Sequence, residues 1–407
     1  MEQSFSTEAN LKELELNALL EVTQAINNNL PEESLYKIYK FTLLADFNVR
    51  KLALFVFGEK WECKVNFGVS NDFCQNNLPH DFSDLTKAVE LKNRDGNFGE
   101  FDLAIPVLHK KRLLAVVFVG ELKKDGLGEI MRSGTTFLEA LTNIILVAIE
   151  NKKLASKQLE QEAYKKEMEI AKQVQQFLFP KELPSGKGLD IAAKYLPHKD
   201  VGGDYYDYIP LSKGKFIICI ADVSGKGVPA ALMMSNFQAS LRTLVRKTED
   251  LKEIVEDLND QINFSGNGEI FITFFIALFD SGSEVLEYIN CGHNPPVISL
   301  NGGSAQLLDK GTTVLGMFCP LPFNTLGTFE GIKGFNLFCY TDGLTESVND
   351  NDDEFGAERI EVAFGRNVTV SPDQMNNNIL DEVDKFRGDN AYRDDVTLLT
   401  CRVQSEI

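Results

Sequence analysis

The segment VGGDYYDYIPLSKGKFIICIADVSGKGVPAAL, residues 201–232, constrains the fold more than any other part of the chain. Asp204 follows a glycine pair, a β-rich apolar run covers 216–221, and Asp222 stands directly at its end. A short, continuous apolar run of this kind predicts a buried strand. The following PAALMMSNFQASLRTLV, residues 229–245, predicts a helix with Pro229 in its first turn. Asp222 therefore stands where a strand stops and a glycine-rich turn hands the chain to a helix. Asp, Ser and Gly favour turns on conformational grounds alone. A carboxylate with a functional reason to be there points instead to a hard cation, Mg²⁺ or Mn²⁺, which takes oxygen ligands.

With 407 residues the chain is too long for one ordinary core, and two or three domains are expected. A formal charge of -19 argues against a non-specific nucleic-acid or anionic-membrane surface and suits a cation site. Seven cysteines without a C-x-x-C pair support neither a disulfide scaffold nor a thiolate zinc site. The four histidines, at 80, 109, 198 and 293, do not make a histidine-rich metal centre. The first residues lack a basic flank followed by an apolar core, and no window is apolar enough to span a bilayer. A cytoplasmic protein with reduced cysteines is the expectation.

Taken in order, residues 8–29 and 32–44 read as helices. KLALFVF (51–57), WECKVNF (61–67), FDLAIPVL (101–108) and LLAVVFV (113–119) then read as strands, with a tight basic turn at 109–112. Two helices followed by such strands predict an α/β sensory domain over 1–134, punctuated at 124–128. From 135 to about 178 there is neither Pro nor Gly, which predicts a helix of roughly 65 Å at ~1.5 Å per residue. An imperfect heptad places Val147, Leu154, Gln161 and Met168 at a, and Tyr164, Ala171 and Leu178 at d. The polar seam fits a weakly pairing dimeric connector over 135–186, or a single solvated linker helix.

The second domain, 187–407, opens on a strand at 188–197. Helices are expected at 229–245 and 251–261, and strands at 269–280 and within 334–349, the latter ending on Asp342. The run 285–299 is expected to pair with 269–280, and a turn is expected at Gly302-Gly303. A solvated loop follows at 349–354, then a helix from Pro372 to about 386, and a final β run after Asp394 and Asp395. Cys219, Cys291 and Cys339 read as core, and His293 as a turn residue in preference to a ligand.

Asp204, Asp222, Asp342 and the Asp394-Asp395 pair are thus acids at strand ends. Converging at one edge of a sheet, they could not all stay ionised unless cations compensated them or some took up protons. Two divalent ions sharing such carboxylates give a phosphoester-hydrolysing arrangement in which a bridging water becomes the nucleophile, with no His or Cys required. The SGKG turn is not a P-loop, since the G-x-x-x-x-G-K-[ST] spacing is absent. Lys226 reads as a surface charge or, more sharply, as a phosphate contact.

Across 187–403, VGGDYYD, ADVSGKGVPAA, CGHNPP, YTDGLTE and RDDVTLL, in that order, resemble the bacterial metal-dependent serine/threonine phosphatases of the PP2C-like superfamily. The nearest branch holds the stage II sporulation phosphatase and the activator phosphatases of the general stress response. The resemblance implies an α-β-β-α sandwich of two antiparallel sheets flanked by helices. It implies that Asp204 and Asp222 bridge two Mn²⁺ or Mg²⁺ ions and carry the catalysis, with the carbonyl of Val223 as a further ligand where many relatives have Gly. Asp342 and Asp394 would supply the remaining carboxylates, with Asp395 as the alternate ligand and Asp207 as a supporting residue. The phosphate-binding arginine of eukaryotic relatives has no counterpart. The substrate class implied is a phosphoserine or phosphothreonine protein, typically a small anti-sigma-factor antagonist. MEIAKQVQQFLFP (168–180) resembles the helix that couples a sensor to such domains, with Phe177 and Phe179 in place of the commoner Leu. Residues 1–134 resemble a GAF domain more loosely, through the element order and LLAVVFVGELKKDGL (113–127), and a PAS-type domain fits as well. The expected protein is a homodimeric signalling phosphatase with no nucleic-acid or membrane partner. A catalytically silent phosphoprotein-binding adaptor and a metal-dependent nuclease are its rivals.

Overall fold

The computed structural model describes residues 2–45, 49–69, 78, 82, 84–91, 98–109, 112–121, 135–186, 188–266, 268–300 and 303–404. Expectations on Cys74, His80, residues 110–111, the 124–128 punctuation and Gly302 lie outside them. The chain divides into two compact units, Met1–Glu162 and Ala163–Ile407. The division falls inside one helix.

In the first unit, α1 (Glu2–Asn27) and α2 (Glu32–Ala45) precede β1 (Lys51–Phe57), β2 (Trp61–Phe67), β3 (Val89–Glu90), β4 (Leu103–His109) and β5 (Arg112–Gly120). The strands form one antiparallel sheet in the order β2-β1-β5-β4-β3. α3 (Thr135–Gln176) follows, 42 residues without a break. Leu52, Leu54, Val117 and Val119 join Val22, Tyr39, Leu141 and Ile145 in one core, so α1, α2 and the start of α3 cover one face of this sheet. Ala53, Phe55, Val116 and Phe118 pack on the other face. Inside the helical layer the Tyr39 hydroxyl is satisfied by Thr142 Oγ1 at 2.8 Å.

The second unit has two sheets. One runs β13 (Gly311–Thr312), β10 (Val285–Cys291), β9 (Ile272–Asp280), β8 (Lys215–Val223), β7 (Tyr205–Ser212), with β14 (Gly327–Phe329) on β10. The other runs β12 (Ala305–Leu307), β11 (Val297–Leu300), β15 (Phe335–Tyr340), β16 (Val396–Val403), β6 (Leu189–Leu196). Helices α4 (Val228–Lys247) and α5 (Leu251–Gly266) go with the first sheet, and α7 (Ala357–Asn367) and α8 (Pro372–Arg387) with the second; a single turn, α6 (Asp342–Thr345), follows β15.

The period of two in a strand explains the layering. On β8, Ile217, Cys219 and Ala221 pack under α4 and α5, whereas Phe216, Ile218 and Ile220 face the second sheet. On β15, Leu337 and Cys339 meet that inner layer, while Phe338 and Tyr340 face α7 and α8. Both faces of each central strand are covered, which is why these strands read as continuous apolar runs. The α-β-β-α order follows. Phe279 and Phe335 close the two sheets edge to face at 5.1 Å.

Two expectations are corrected. Residues 285–299 are not one partner of β9. The chain leaves the first sheet after Cys291, and 297–300 pairs with β15 in the second. Gly292, at φ 65, makes the break, because a Cβ there would stand 2.6 Å from Val314. Asp342 does not end a strand but opens α6, with Thr341 preceding it as N-cap. The Cys219, Cys291 and Cys339 thiols are buried as expected, and every described cysteine is free.

Candidate metal-binding active site

Antiparallel register builds the acidic pair. Tyr205 is opposite Ala221, so the next pair outward is Asp204 beside Asp222, on the face that Tyr206 and Ile220 turn toward the second sheet. Directly opposed residues of this kind hold their Cβ atoms about 4.5–5.5 Å apart. In the second sheet Tyr340 is opposite Leu398, and the next pair is Thr341 and Thr397, joined through Thr341 N–H to Thr397 C=O at 3.1 Å. Both hydroxyls donate to Asp204 Oδ2, Thr341 at 2.9 Å and Thr397 at 2.5 Å. The acids therefore converge between the ends of two sheets, not along one edge of a single sheet.

Asp395 has a different task from Asp394. Its Oδ1 accepts from His198 N–H at 2.7 Å and its Oδ2 from Gly203 N–H at 2.9 Å, so it braces the backbone that carries Asp204. Glycine is obligatory there. A Cβ on Gly202 would lie 1.9 Å from Asp395 Oδ2, and one on Gly203 would lie 2.7 Å from the Val223 carbonyl oxygen. Asp394 has its Oδ2 2.6 Å from Lys226 Nζ, and its Oδ1 accepts from the Asp395 N–H at 2.9 Å. Asp207 lies three residues after Asp204, hence on the opposite face, where Arg242 of α4 grips both its oxygens at 2.7 and 2.9 Å and the Tyr205 hydroxyl donates to it. It is a buried, satisfied ion-pair partner and not a support of the acidic pair.

The electrostatics fit a missing positive charge. Burial, then Asp222, pushes the Asp204 carboxyl well above the ordinary range, against the pull of the Thr397 hydrogen bond. Burial, then Asp342 and Asp394, pushes Asp222 up to about 7. Asp342 is raised by burial and by Asp394. Carboxylates so placed ionise together only beside cations. Among the described residues no three acidic, His or Cys side chains are drawn to common ligand distance, since Asp395 holds backbone and Asp394 holds Lys226. The donor set nevertheless suits a hard divalent ion: carboxylates without His or Cys, at a backbone approach that only glycine permits. The His293 ring is buried, with Nδ1 2.8 Å from Thr273 Oγ1 and Nε2 without a hydrogen-bond partner. Its backbone N–H donates to Asn290 Oδ1 at 2.8 Å, and burial pushes the ring down to about 4, so it stays neutral.

Several residues at the site escaped the sequence reading. Thr341 and Thr397 lie inside YTDG and DDVT, where only the acids stand out as candidates. The Tyr195 hydroxyl on β6 is buried without a hydrogen-bond partner, in the field of Asp395, Asp204 and Asp222, with its ring 5.0 Å from Phe179. Gln175, in the last turn of α3, clasps Gly202, its Nε2 donating to the carbonyl at 2.7 Å and its Oε1 accepting from the N–H at 3.3 Å. No local pattern marks a glutamine for such a role.

Residues 212–404 match the family model described as Stage II sporulation protein E (SpoIIE). Phosphoserine phosphatase RsbU of Bacillus subtilis (strain 168) is 30% identical over 245 residues, covering 60% of this chain and 71% of that protein. Phosphoserine phosphatase RsbP of the same organism is 24% identical over 186 residues, 45% of this chain and 46% of that one. In structure, the SiaA-PP2C domain of Pseudomonas aeruginosa superposes with a TM-score of 0.54 at 18% identity, over 60% of this chain and 99% of that domain. That last likeness is one of fold.

Proposed function

From a chain that belongs to the SpoIIE-type family of PP2C-like phosphatases, we propose a metal-dependent protein serine/threonine phosphatase whose site is formed by Asp204, Asp222, the Val223 carbonyl, Asp342 and Asp394. The observation that carries this reading is the opposed Asp204–Asp222 pair, both raised first by burial, Asp204 then by Asp222 and Asp222 then by Asp342 and Asp394. Two divalent ions, Mn²⁺ or Mg²⁺, supply there an activated water and Lewis-acid stabilisation of the phosphoryl oxygens. The chain's own part is positional. Thr341 and Thr397 fix one oxygen of Asp204 and leave the other for a ligand. Asp395 sets the backbone of His198 and Gly203 so that Asp204 cannot swing away. Asp394 is held by Lys226 at 2.6 Å, a cation that a metal ion would compete with.

The substrate in this proposal is a phosphoserine or phosphothreonine protein of the anti-sigma-factor-antagonist class. RsbU and RsbP are named phosphoserine phosphatases, which supports the residue type. Hydrolysis of an aryl phosphate by the full chain tests the reading: turnover is expected with Mn²⁺ or Mg²⁺ and none with a chelator. Absence of both turnover and Mn²⁺ binding would hand the site to the rival reading, a silent phosphoprotein-binding adaptor.

Regulation belongs to the same proposal. Residues 1–134 act as a GAF-like sensor and 135–186 as the connector to a phosphatase domain at 187–407, in a cytoplasmic homodimer. Leu154 and Tyr164 of the heptad seam are exposed, as are Leu159, Ile170 and Val174 off it, which supports a partner along α3. A monomeric mass in solution would remove that part. No described helix is long and apolar enough to cross a membrane. The connector's handle on the site is the Gln175–Gly202 clasp, two residues from Asp204. Gln175→Ala leaves two buried backbone groups of Gly202 unpaired, worth about 1–3 kcal/mol. Turnover is expected to fall roughly tenfold, with weaker Mn²⁺ binding; unchanged metal affinity would disconnect the clasp from the site.

A further inference from the structure

Beside the acidic site stands a cation that belongs to the chain itself. Lys226 Nζ lies 2.6 Å from Asp394 Oδ2 and donates to the Arg393 carbonyl at 2.7 Å, so the ammonium has two oxygen neighbours on one side. Its charge reaches further. It opposes the rise at Asp342, which burial and Asp394 produce, and at Glu346, which burial and Asp342 produce. Two arginines are committed elsewhere, Arg393 to Asp352 and Arg242 to Asp207. Lys226 is carried on a turn between Gly225 at φ 95 and Gly227 at φ 76, and its side chain is 42% exposed. It is thus tethered at the mouth of the site and free to swing on a long, flexible stem.

Resting on the phosphatase reading, we propose that Lys226 is an internal counter-cation that holds the Asp394 arm until a divalent ion replaces it. The displaced ammonium then grips the phosphoryl oxygens of the substrate. One group answers two needs of this chain. A divalent ion that takes Asp394 leaves Lys226 without its carboxylate, within side-chain reach of the same opening. A dianionic phosphoryl group entering there is the complementary charge. An ammonium can bind phosphate as a point charge.

Calorimetric titration with MnCl₂, and then with inorganic phosphate on the Mn²⁺-loaded protein, tests both halves on the full chain and on Lys226→Met. Without the competing ammonium, Mn²⁺ is expected to bind about three- to fivefold tighter, the scale of a partly exposed ion pair. Phosphate is expected to bind about tenfold more weakly, as for loss of one hydrogen bond to a charged group. Lys226→Arg keeps the charge and should return both affinities toward those of the unaltered chain. Lys199, whose Cδ lies 3.9 Å from the Cβ position of Gly227, is the neighbouring control, and Lys199→Met should move neither. Equal or weaker Mn²⁺ binding by Lys226→Met overturns the counter-cation role, and unchanged phosphate binding overturns the grip. Failure of the unaltered chain to bind Mn²⁺ overturns the metal reading beneath it, a result distinct from either.

Discussion

Replacing Asp222 by Asn is expected to lower Mn²⁺- or Mg²⁺-dependent phosphoester turnover of the full chain by more than 100-fold and to abolish the heat of Mn²⁺ binding. The yardstick is the roughly 10–100-fold loss seen when a residue that only orients a ligand is changed. Asp222 is proposed as a ligand itself, so its loss should exceed that range. Asp395→Asn, which disturbs the braces to His198 and Gly203, should fall within it. The contrast separates ligand from brace, and it also decides between Asp394 and Asp395 when Asp394→Asn is added to the series. Misfolding would blur the result, but the expected effect on stability has the opposite sign: an amide at 222 removes a buried charge from beside Asp204. Retained turnover in Asp222→Asn, with metal still bound, would sink the two-metal reading.

The second large effect is on stability without metal. An ordinary Asp titrates near 3.8, and Asp222 in the folded chain is pushed up to about 7 by burial, then by Asp342 and Asp394. Below about pH 4 the group is protonated in folded and unfolded chains alike and contributes nothing. Between about 4 and 7 it is ionised only in the unfolded chain, so the folded state loses stability as the pH rises. Above about 7 the full cost is present, on the order of 4 kcal/mol for this group. In chelator, the melting temperature of the second unit should therefore drop between pH 5 and pH 7.5. Asp222→Asn should flatten that drop. Mn²⁺ at a hundred times its dissociation constant should restore about 2.7 kcal/mol at the higher pH. Trp61, the sole tryptophan, lies in the first unit and reports it separately. A metal-free melting temperature that is equal at both pH values, or that drops equally in the variant, would mean that Asp222 is not held as the structure depicts it.

Both expectations depend on features that the sequence displays unequally. KLALFVF and WECKVNF appear as β1 and β2 with the boundaries expected from their composition. The unbroken stretch after 134 appears as one helix, because no Pro or Gly interrupts it. Residues 285–299 were misjudged because Val297, Ile298 and Ser299 carry the same β-rich signal as the residues before the break. The strand pairings show that the chain changes sheets, at a turn where Gly292 is crowded against Val314. Asp207 shares a motif with Asp204, and motif membership hid the odd spacing that sends it to the α4 side and to Arg242. That parity was readable in principle. The identity of the group waiting on the far face was not.

What the sequence determined by itself is most of the strands and turns, and the placing of Asp204 before β7, Asp222 at the close of β8, and Asp394 and Asp395 before β16, whereas Asp342 opens α6. Those are local matters of β propensity, glycine and apolar period, decided within a few residues. The tertiary structure alone decided which acid faces which partner. The register of the β7–β8 hairpin sets Asp204 against Asp222, and the register between β15 and β16, far apart in sequence, sets Thr341 against Thr397. The stacking of two sheets then brought those hydroxyls to Asp204, tied Asp395 to backbone, and left Asp394 with Lys226. Hydrogen bonds and charges act over a few ångströms of space, and distance along the chain carries no record of them.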